Sequence, residues 1–261
     1  MPAGPKRRTP PQEYQACGLT ILPPSHPEVR RVQRDAARPT LHGHKVWPTS
    51  VVLMDSLHQR GVPPRARVLE LGCGWGLVGI AGANTFQAQV TGLDADAAVF
   101  PSLQLHAQRN GVHIATRQGT FADLTLQELA AFELIGGADI CLWDDLVDPL
   151  YQLVRHGVAV GVAEILVTDP GRPPFDALCA RCAPQGNAEV LAWAMTAPVV
   201  ERGSILRVVG AAEPASCLNP RGGPHRRRGR QAPDGVRCGT RTRHTVGFPR
   251  VIAKVVFGKG R

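Results

Sequence analysis

The nine residues VLELGCGWG, from Val68 to Gly76, constrain this chain more than any other stretch. A short apolar run carries one acidic residue, Glu70, and then breaks into glycines at positions 72, 74 and 76. A buried parallel strand reads this way where it ends in a loop that lets a ligand touch bare backbone. Glycine lacks a Cβ, so it takes a sharp turn and permits close approach. A helix following such a loop aims its first N–H groups at the same point.

Beyond Arg67 the pattern alternates between strand and helix, which predicts a parallel sheet covered on both faces. RVLELG is followed by a helix through LVGIAGANTF, and QVTGLD by one through VFPSLQLHAQRNG. HIATRQGTF is a weaker strand, and a helix over LTLQELA leads into the strand FELIGGAD. DPLYQLVRHG precedes AEILVTDP, and FDALCARCA precedes two consecutive strands, AEVLAWAM and GSILRVVG. Upstream, Pro48 with Val51, Val52, Leu53 and Leu57 predicts an amphipathic helix, and PEVRRVQRDAARP one short helix. The expected organisation is an extension over 1–45, partly disordered, a body over 46–210, and a basic, disordered tail over 211–261, with VIAKVVF readable as an edge strand.

Charge divides along the same lines. Residues 211–261 hold twelve Lys/Arg against two Asp/Glu, and residues 1–45 hold eight against three. The body is left with ten against sixteen, a net of −6. Phosphate backbones are bound by clustered Lys and Arg, so an acidic body excludes nucleic acid as the expected substrate except through the tail. It suits a cationic partner. The seven cysteines are odd in number and scattered, which argues for a reduced, cytoplasmic protein rather than a disulfide framework. Cys179 and Cys182 stand three apart without a second pair at zinc spacing, so no metal is assigned. Lys6, Arg7 and Arg8 are followed by TPPQEYQACG, not an apolar segment, so neither a signal peptide nor a membrane span is expected.

The glycine loop has two readings. Gly74, Gly76 and Gly79 satisfy G-x-G-x-x-G, with Asp94 about 20 residues on, as in a dinucleotide fold. The alternative is E-x-G-x-G-x-G from Glu70, a spacing that resembles class I S-adenosylmethionine (SAM) methyltransferases. No basic residue for a pyrophosphate occurs between Arg67 and Arg109, and an extension precedes the strand, so the methyltransferase resemblance is preferred. It implies a Rossmann-like, seven-stranded α/β sheet, mostly parallel with an antiparallel last strand, and SAM as cofactor. Under it, Gly72, Cys73, Gly74 and Gly76 contact the cofactor through backbone, and Glu70 either orders the loop or binds, through water, near the amino group of the methionine. Asp94, in preference to Asp96, accepts both ribose hydroxyls, since two carboxylate oxygens match a vicinal diol. Phe121 flanks the adenine, with a core role as the competing assignment.

Three segments narrow the resemblance to the protein-lysine methyltransferase group that includes the electron-transfer flavoprotein β-subunit lysine methyltransferase. GADICLWDDLVDPL is similar to the group's Asp-x-x-Tyr segment, DPGRPPF to the region after the fifth strand, and KVWP to the segment whose Trp, here Trp47, packs near the cofactor. Leu142 stands where the group has tyrosine, with Trp143 beside it. The resemblance implies transfer of methyl groups to a protein lysine, with Asp139 contacting the cofactor and, with Asp144 and Trp143, handling the ammonium. Asp145 and Asp148 are read as a charged first helical turn. Asp169 and Arg172 either orient substrate or form a structural ion pair, and His42 and His44 are read as surface residues. The competing functions are a small-molecule methyltransferase and a SAM-binding scaffold without turnover. No lysine occurs between Lys45 and Lys254, which confines any lysine self-methylation to the terminal segments.

Overall fold

A computed structural model describes residues 13–36, 39, 43, 45–195 and 199–210, together with the backbone of 254–255. His42, His44 and the tail apart from those two residues lie outside the described set. The chain opens with a hairpin, β1 (Tyr14–Ala16) and β2 (Leu19–Ile21), and α1 (Pro27–Asp35). It continues as α2 (Pro48–Arg60), β3 (Arg67–Leu71), α3 (Leu77–Phe86), β4 (Gln89–Asp94), α4 (Phe100–Arg109) and β5 (Ala115–Gln118). After these come α5 (Leu126–Leu129), β6 (Leu134–Ala138), α6 (Val147–Ala159), β7 (Glu164–Asp169) and α7 (Pro173–Cys182). β8 (Ala188–Ala194), β9 (Arg202–Val209) and the two-residue β10 (Lys254–Val255) complete it.

The main sheet runs in the order β10-β8-β9-β7-β6-β3-β4-β5. Pairing is parallel from β5 through β7, and β9 lies antiparallel to both β7 and β8. Strands β3–β9 are therefore the seven-stranded sheet expected, with its last strand reversed, and β10 extends the β8 edge. β3 sits centrally, flanked by β4 on one side and β6 on the other. The chain's direction of winding switches there, and the carboxyl ends of such strands open a crevice.

Side chains alternate across a strand, and β3 divides accordingly. Val68 joins the core formed with α2, α3 and α4, whereas Leu69 and Leu71 join the one formed with α6 and α7. β6 carries two glycines with separate reasons. Gly136 brings Leu53 of α2 within 3.6 Å of where a Cβ would stand, and a Cβ on Gly137 would meet Ile140.

The hairpin is part of this packing. Leu19 and Ile21 are wholly buried and belong to the same core as Val90. Polar groups of α4 and of Asn110, the residue that ends it, satisfy the backbone of β2 and the residue after it. Asn110 Oδ1 accepts from Thr20 N–H at 2.8 Å, and Asn110 Nδ2 donates to Thr20 O at 3.0 Å. His106 Nε2 accepts from Leu22 N–H at 3.3 Å, while Nδ1 lies 2.8 Å from Ser102 O. The segment expected as an extension over 1–45 thus contributes to the core from Ala16 onward. Among the described residues, no helix is long and apolar enough to cross a membrane.

Candidate active site

The loop after β3 is shaped by left-handed glycines, with φ of +55° at Gly72, +50° at Gly74 and +72° at Gly76. Space is as restrictive as conformation at two of them. A Cβ on Gly72 would stand 2.7 Å from Ile140 Cγ2, and one on Gly76 would stand 2.6 Å from Leu103 Cγ. At Gly74 a Cβ would meet nothing within 4 Å, which leaves the loop's face open. Cys73 is buried beneath, its N–H donating to Leu93 O at 3.0 Å. Its sulfur would lie 2.9 Å from a Cβ on Gly92, so β4 needs glycine there.

Glu70 is buried and its oxygens accept from Val78 N–H at 3.3 Å and Gly79 N–H at 2.9 Å. These are donors in the first turn of α3 that a helix leaves without intrahelical partners. The carboxylate caps α3 from the adjoining strand. Burial pushes its pKa up to about 8, against the opposing pull of these N–H groups. Asp94, at the end of β4, holds the loop from the other side, accepting from Gly74 N–H at 2.9 Å and Asp96 N–H at 3.0 Å. Burial raises its pKa as well.

These residues line a cavity of about 390 Å³. Gly72, Cys73, Gly74 and Trp75 form one wall, Asp94, Thr120 and Phe121 a second, and Ile140, Leu142, Leu146 and Pro149 a third. Lys45, Val46 and Trp47 close it from the amino-terminal side. Asp94 lines the cavity; Asp96 instead accepts from Ala98 N–H and caps a short 3-10 turn. Phe121 is half-buried, facing the cavity while packing on the second core. Gly76 is not in the cavity wall and acts through the turn into α3.

Trp75 is a site residue that the motif reading passed over. It is buried, its Nε1–H donates to Gly43 O at 3.0 Å, and its ring stacks on His106 with centroids 5.0 Å apart. The glycine loop is thereby tied both to α4 and to the segment that closes the cavity. An aromatic between the loop glycines was the available signal.

Asp139 departs from the proton-accepting role expected of it. Its φ is +55° and its carboxylate is buried. Oδ2 accepts from the N–H of Thr49 at 3.2 Å and from the Thr49 hydroxyl. Oδ1 faces Arg172 Nη1 at 2.8 Å, an ion pair that compensates its burial. Trp47, the residue before α2, supplies no side-chain cap, so Asp139 caps that helix from the end of β6. Both oxygens of the Asp139 carboxylate are thus engaged within the fold, by Thr49 and by Arg172. Asp169 is wholly buried and accepts from the N–H groups of Gly171 and Arg172 and from Arg172 Nη1 at 2.7 Å. For Asp169 and Arg172 the structural ion pair is the arrangement present.

Trp143 and Asp144 lie outside the cavity. With Leu142, Asp145, Pro173 and Pro174 they line a shallow groove beside it, and Leu142 borders both. Trp143 is 56 % exposed. Asp148 pairs with Arg181 on the surface at 2.8 Å. Cys179 and Cys182 are buried free thiols on α7, and burial raises both pKa values.

A family model described as a methyltransferase domain matches residues 68–157, from the centre of β3 into α6. Together with the sheet order, this match supports a class I SAM-dependent methyltransferase fold around those residues. Protein N-lysine methyltransferase METTL21A of Xenopus tropicalis is 32 % identical over 116 residues, 42 % of this chain and 53 % of that protein. The ubiquinone biosynthesis O-methyltransferase of Hahella chejuensis is 30 % identical over 92 residues, 35 % of this chain and 37 % of that protein. The chain thus spans about half or less of the length of these curated relatives. The precorrin-6y C5,15-methyltransferase of Geobacter metallireducens has a similar structure, with TM-score 0.48 and 10 % identity over 62 % of this chain and 87 % of that one.

The cavity has room for SAM and an acceptor for its ribose. The cavity volume falls within the ~300–1,000 Å³ of small-molecule sites, a carboxylate borders it at the end of β4, and the face above Gly74 is open.

Proposed function

We propose that this methyltransferase acts on nitrogen, transferring a methyl group to a lysine side chain of a protein partner in the cytoplasm. Gly72, Cys73 and Gly74 would hold SAM through backbone, with Asp94 on the ribose hydroxyls and Phe121 and Trp47 against its apolar and aromatic surfaces. Glu70 and Gly76 serve indirectly, by fixing the loop and the start of α3. When bound, the cofactor supplies an electrophilic methyl group with its leaving group attached. What the chain must add is alignment and exclusion of water.

The observation that carries the protein-substrate reading is the groove continuous with the cavity through Leu142. Trp143 offers an aromatic face and Asp144 and Asp145 negative charge, a pairing that attracts an ammonium without binding it deeply. Trp143 and Asp144 would receive the lysine and guide it past Leu142, and its proton would leave to solvent at this open edge. Asp139 braces α2 against β6 so that Trp47 stays over the cavity. The relationship to the Xenopus lysine methyltransferase supports the same reading.

The apolar wall of Ile140, Leu142, Leu146 and Pro149 favours a second reading, a small-molecule methyltransferase, to which the Hahella enzyme is related. Isothermal titration of SAM and NAD, followed by labelled-SAM transfer into lysate proteins and extracted metabolites, separates the possibilities. We expect SAM alone to bind, with Asp94→Ala weakening it more than tenfold, since charged hydrogen bonds contribute about 1.5–3 kcal/mol each. Label in proteins supports the lysine reading and label only in metabolites the second. SAM binding without transfer would leave a scaffold, and NAD binding would overturn the assignment.

A further inference from the structure

We propose that Lys45 is a methyl acceptor for this chain's own active site, a modification in cis at the cavity rim. This rests on the amine-transfer reading above. The chain contains four lysines, Lys6, Lys45, Lys254 and Lys259, and among the described residues only Lys45 lines the cavity. Its side chain is exposed, so no burial cost opposes its movement. Its Nζ lies 4.1 Å from the centroid of the Trp47 ring, which lines the same cavity.

Two consequences follow from that placement. The amine is tethered by a flexible four-carbon stem at a wall of the space where the methyl group would be presented. Its effective concentration there exceeds that of an amine arriving from solution. The Trp47 face attracts the cation before transfer and equally well after it, because a methylated ammonium keeps its charge and gains apolar surface for the ring. The segment is also held in register, since Trp75 Nε1–H is anchored to Gly43 O.

The step balances simply. The ammonium gives a proton to water, and the nitrogen lone pair forms a bond to the methyl carbon. The carbon–sulfur bond breaks with its electron pair on sulfur, giving S-adenosylhomocysteine and methyl-lysine.

The experiment uses the full chain purified from cells and incubated with methyl-labelled SAM, with the label located by peptide mass spectrometry. SAM affinity is measured by calorimetry on the same preparation. We expect added methyl mass at Lys45, partly present in the protein as isolated, accumulating at a first-order rate that does not change over a tenfold range of protein concentration. Asp94→Ala should lower it at least tenfold, and Lys45→Arg should abolish it. SAM binding with Lys45 unlabelled overturns the proposal while leaving the cofactor reading intact. Label at Lys6, Lys254 or Lys259 instead, or a rate proportional to protein concentration, also overturns it. Absence of SAM binding overturns both together.

Discussion

Glu70 has two conflicting demands placed on it. Its oxygens must accept from the first turn of α3, which favours the charged form, yet it has no access to water, and burial prevails by raising its pKa to about 8. The folded state therefore keeps a proton that the unfolded chain releases near the ordinary value of about 4.3. Where the unfolded state binds fewer protons, stability falls as pH rises; for Glu70 that window runs from the ordinary carboxylate range up to about 8. Glu70→Gln removes the titration while keeping one acceptor. In urea unfolding the variant should be about 1 kcal/mol less stable than wild type at the acid end of this window, from the lost hydrogen bond. The gap should close or reverse by its alkaline end. An unchanged difference across the window would mean that Glu70 stays charged when folded. Residues of this kind are legible in sequence, because a lone acid in an apolar run before glycines has few other uses. Trp75 was not. Its importance depends on Gly43 and His106, which meet it only after the chain has folded.

Among the elements, the placement of α2 is set by Asp139, which the sequence reading assigned to the cofactor and the ammonium. An acid at the end of a strand reads as chemistry, but the pattern along the chain does not show which carboxylates a helix terminus and an arginine will claim. If Asp139 is a brace, Asp139→Ala leaves Thr49 without its acceptor and Arg172 paired with Asp169 alone, and should cost about 2–3 kcal/mol by thermal or urea unfolding. Asp139→Asn keeps an acceptor for Thr49 and tolerates the left-handed backbone, so it should cost about 1 kcal/mol. It should also retain transfer within tenfold, whereas loss of a general base would remove about 10²–10⁴-fold. The hairpin gives a second test at this scale. His106 is neutral in its buried position between Leu22 N–H and Ser102 O, and burial lowers its pKa. The unfolded state then takes up a proton first as pH falls below about 6.5, so acid should destabilise this junction. Hydrogen exchange at Leu22 should lose protection between neutral pH and pH about 5 ahead of the β3 amides, and parallel loss would show the hairpin opening only with the whole fold. Strand β4 and helix α3 coincide with their expected bounds, and β3 stops at Leu71, one residue before the expected end at Gly72, because turn residues set off each of these largely apolar runs. β1 and β2 are three residues each, too short for periodicity to register. What holds them is α4, distant in sequence.

At the scale of the whole molecule, charge and shape make separable demands on the two sites. The cofactor cavity is mostly apolar with Asp94 at one wall, whereas the groove of Trp143, Asp144 and Asp145 is open to solvent on a body of net charge −6 over residues 46–210. Alternation of strands and helices was enough to place the cavity at the carboxyl ends of β3, β4 and β6. The groove was not legible as a surface, since it joins the loop after β6 to the start of α7, Pro173 and Pro174, and needs both in space. If a cationic protein segment docks there, attraction should be screened over about 10 Å at 0.1 M salt. The KM for a protein substrate should then rise severalfold between low and moderate salt, while SAM affinity, set inside the cavity, should change less than twofold. Reversing the groove's charge with Asp144→Lys and Asp145→Lys should lower kcat/KM for that substrate at least tenfold and remove most of its salt dependence. Both quantities come from steady-state kinetics at varied salt, with calorimetry reporting SAM binding in parallel. A loss of SAM affinity in the charge-reversed protein would show that cavity and groove act as one site. Unchanged kinetics would place the protein's docking surface elsewhere on the body.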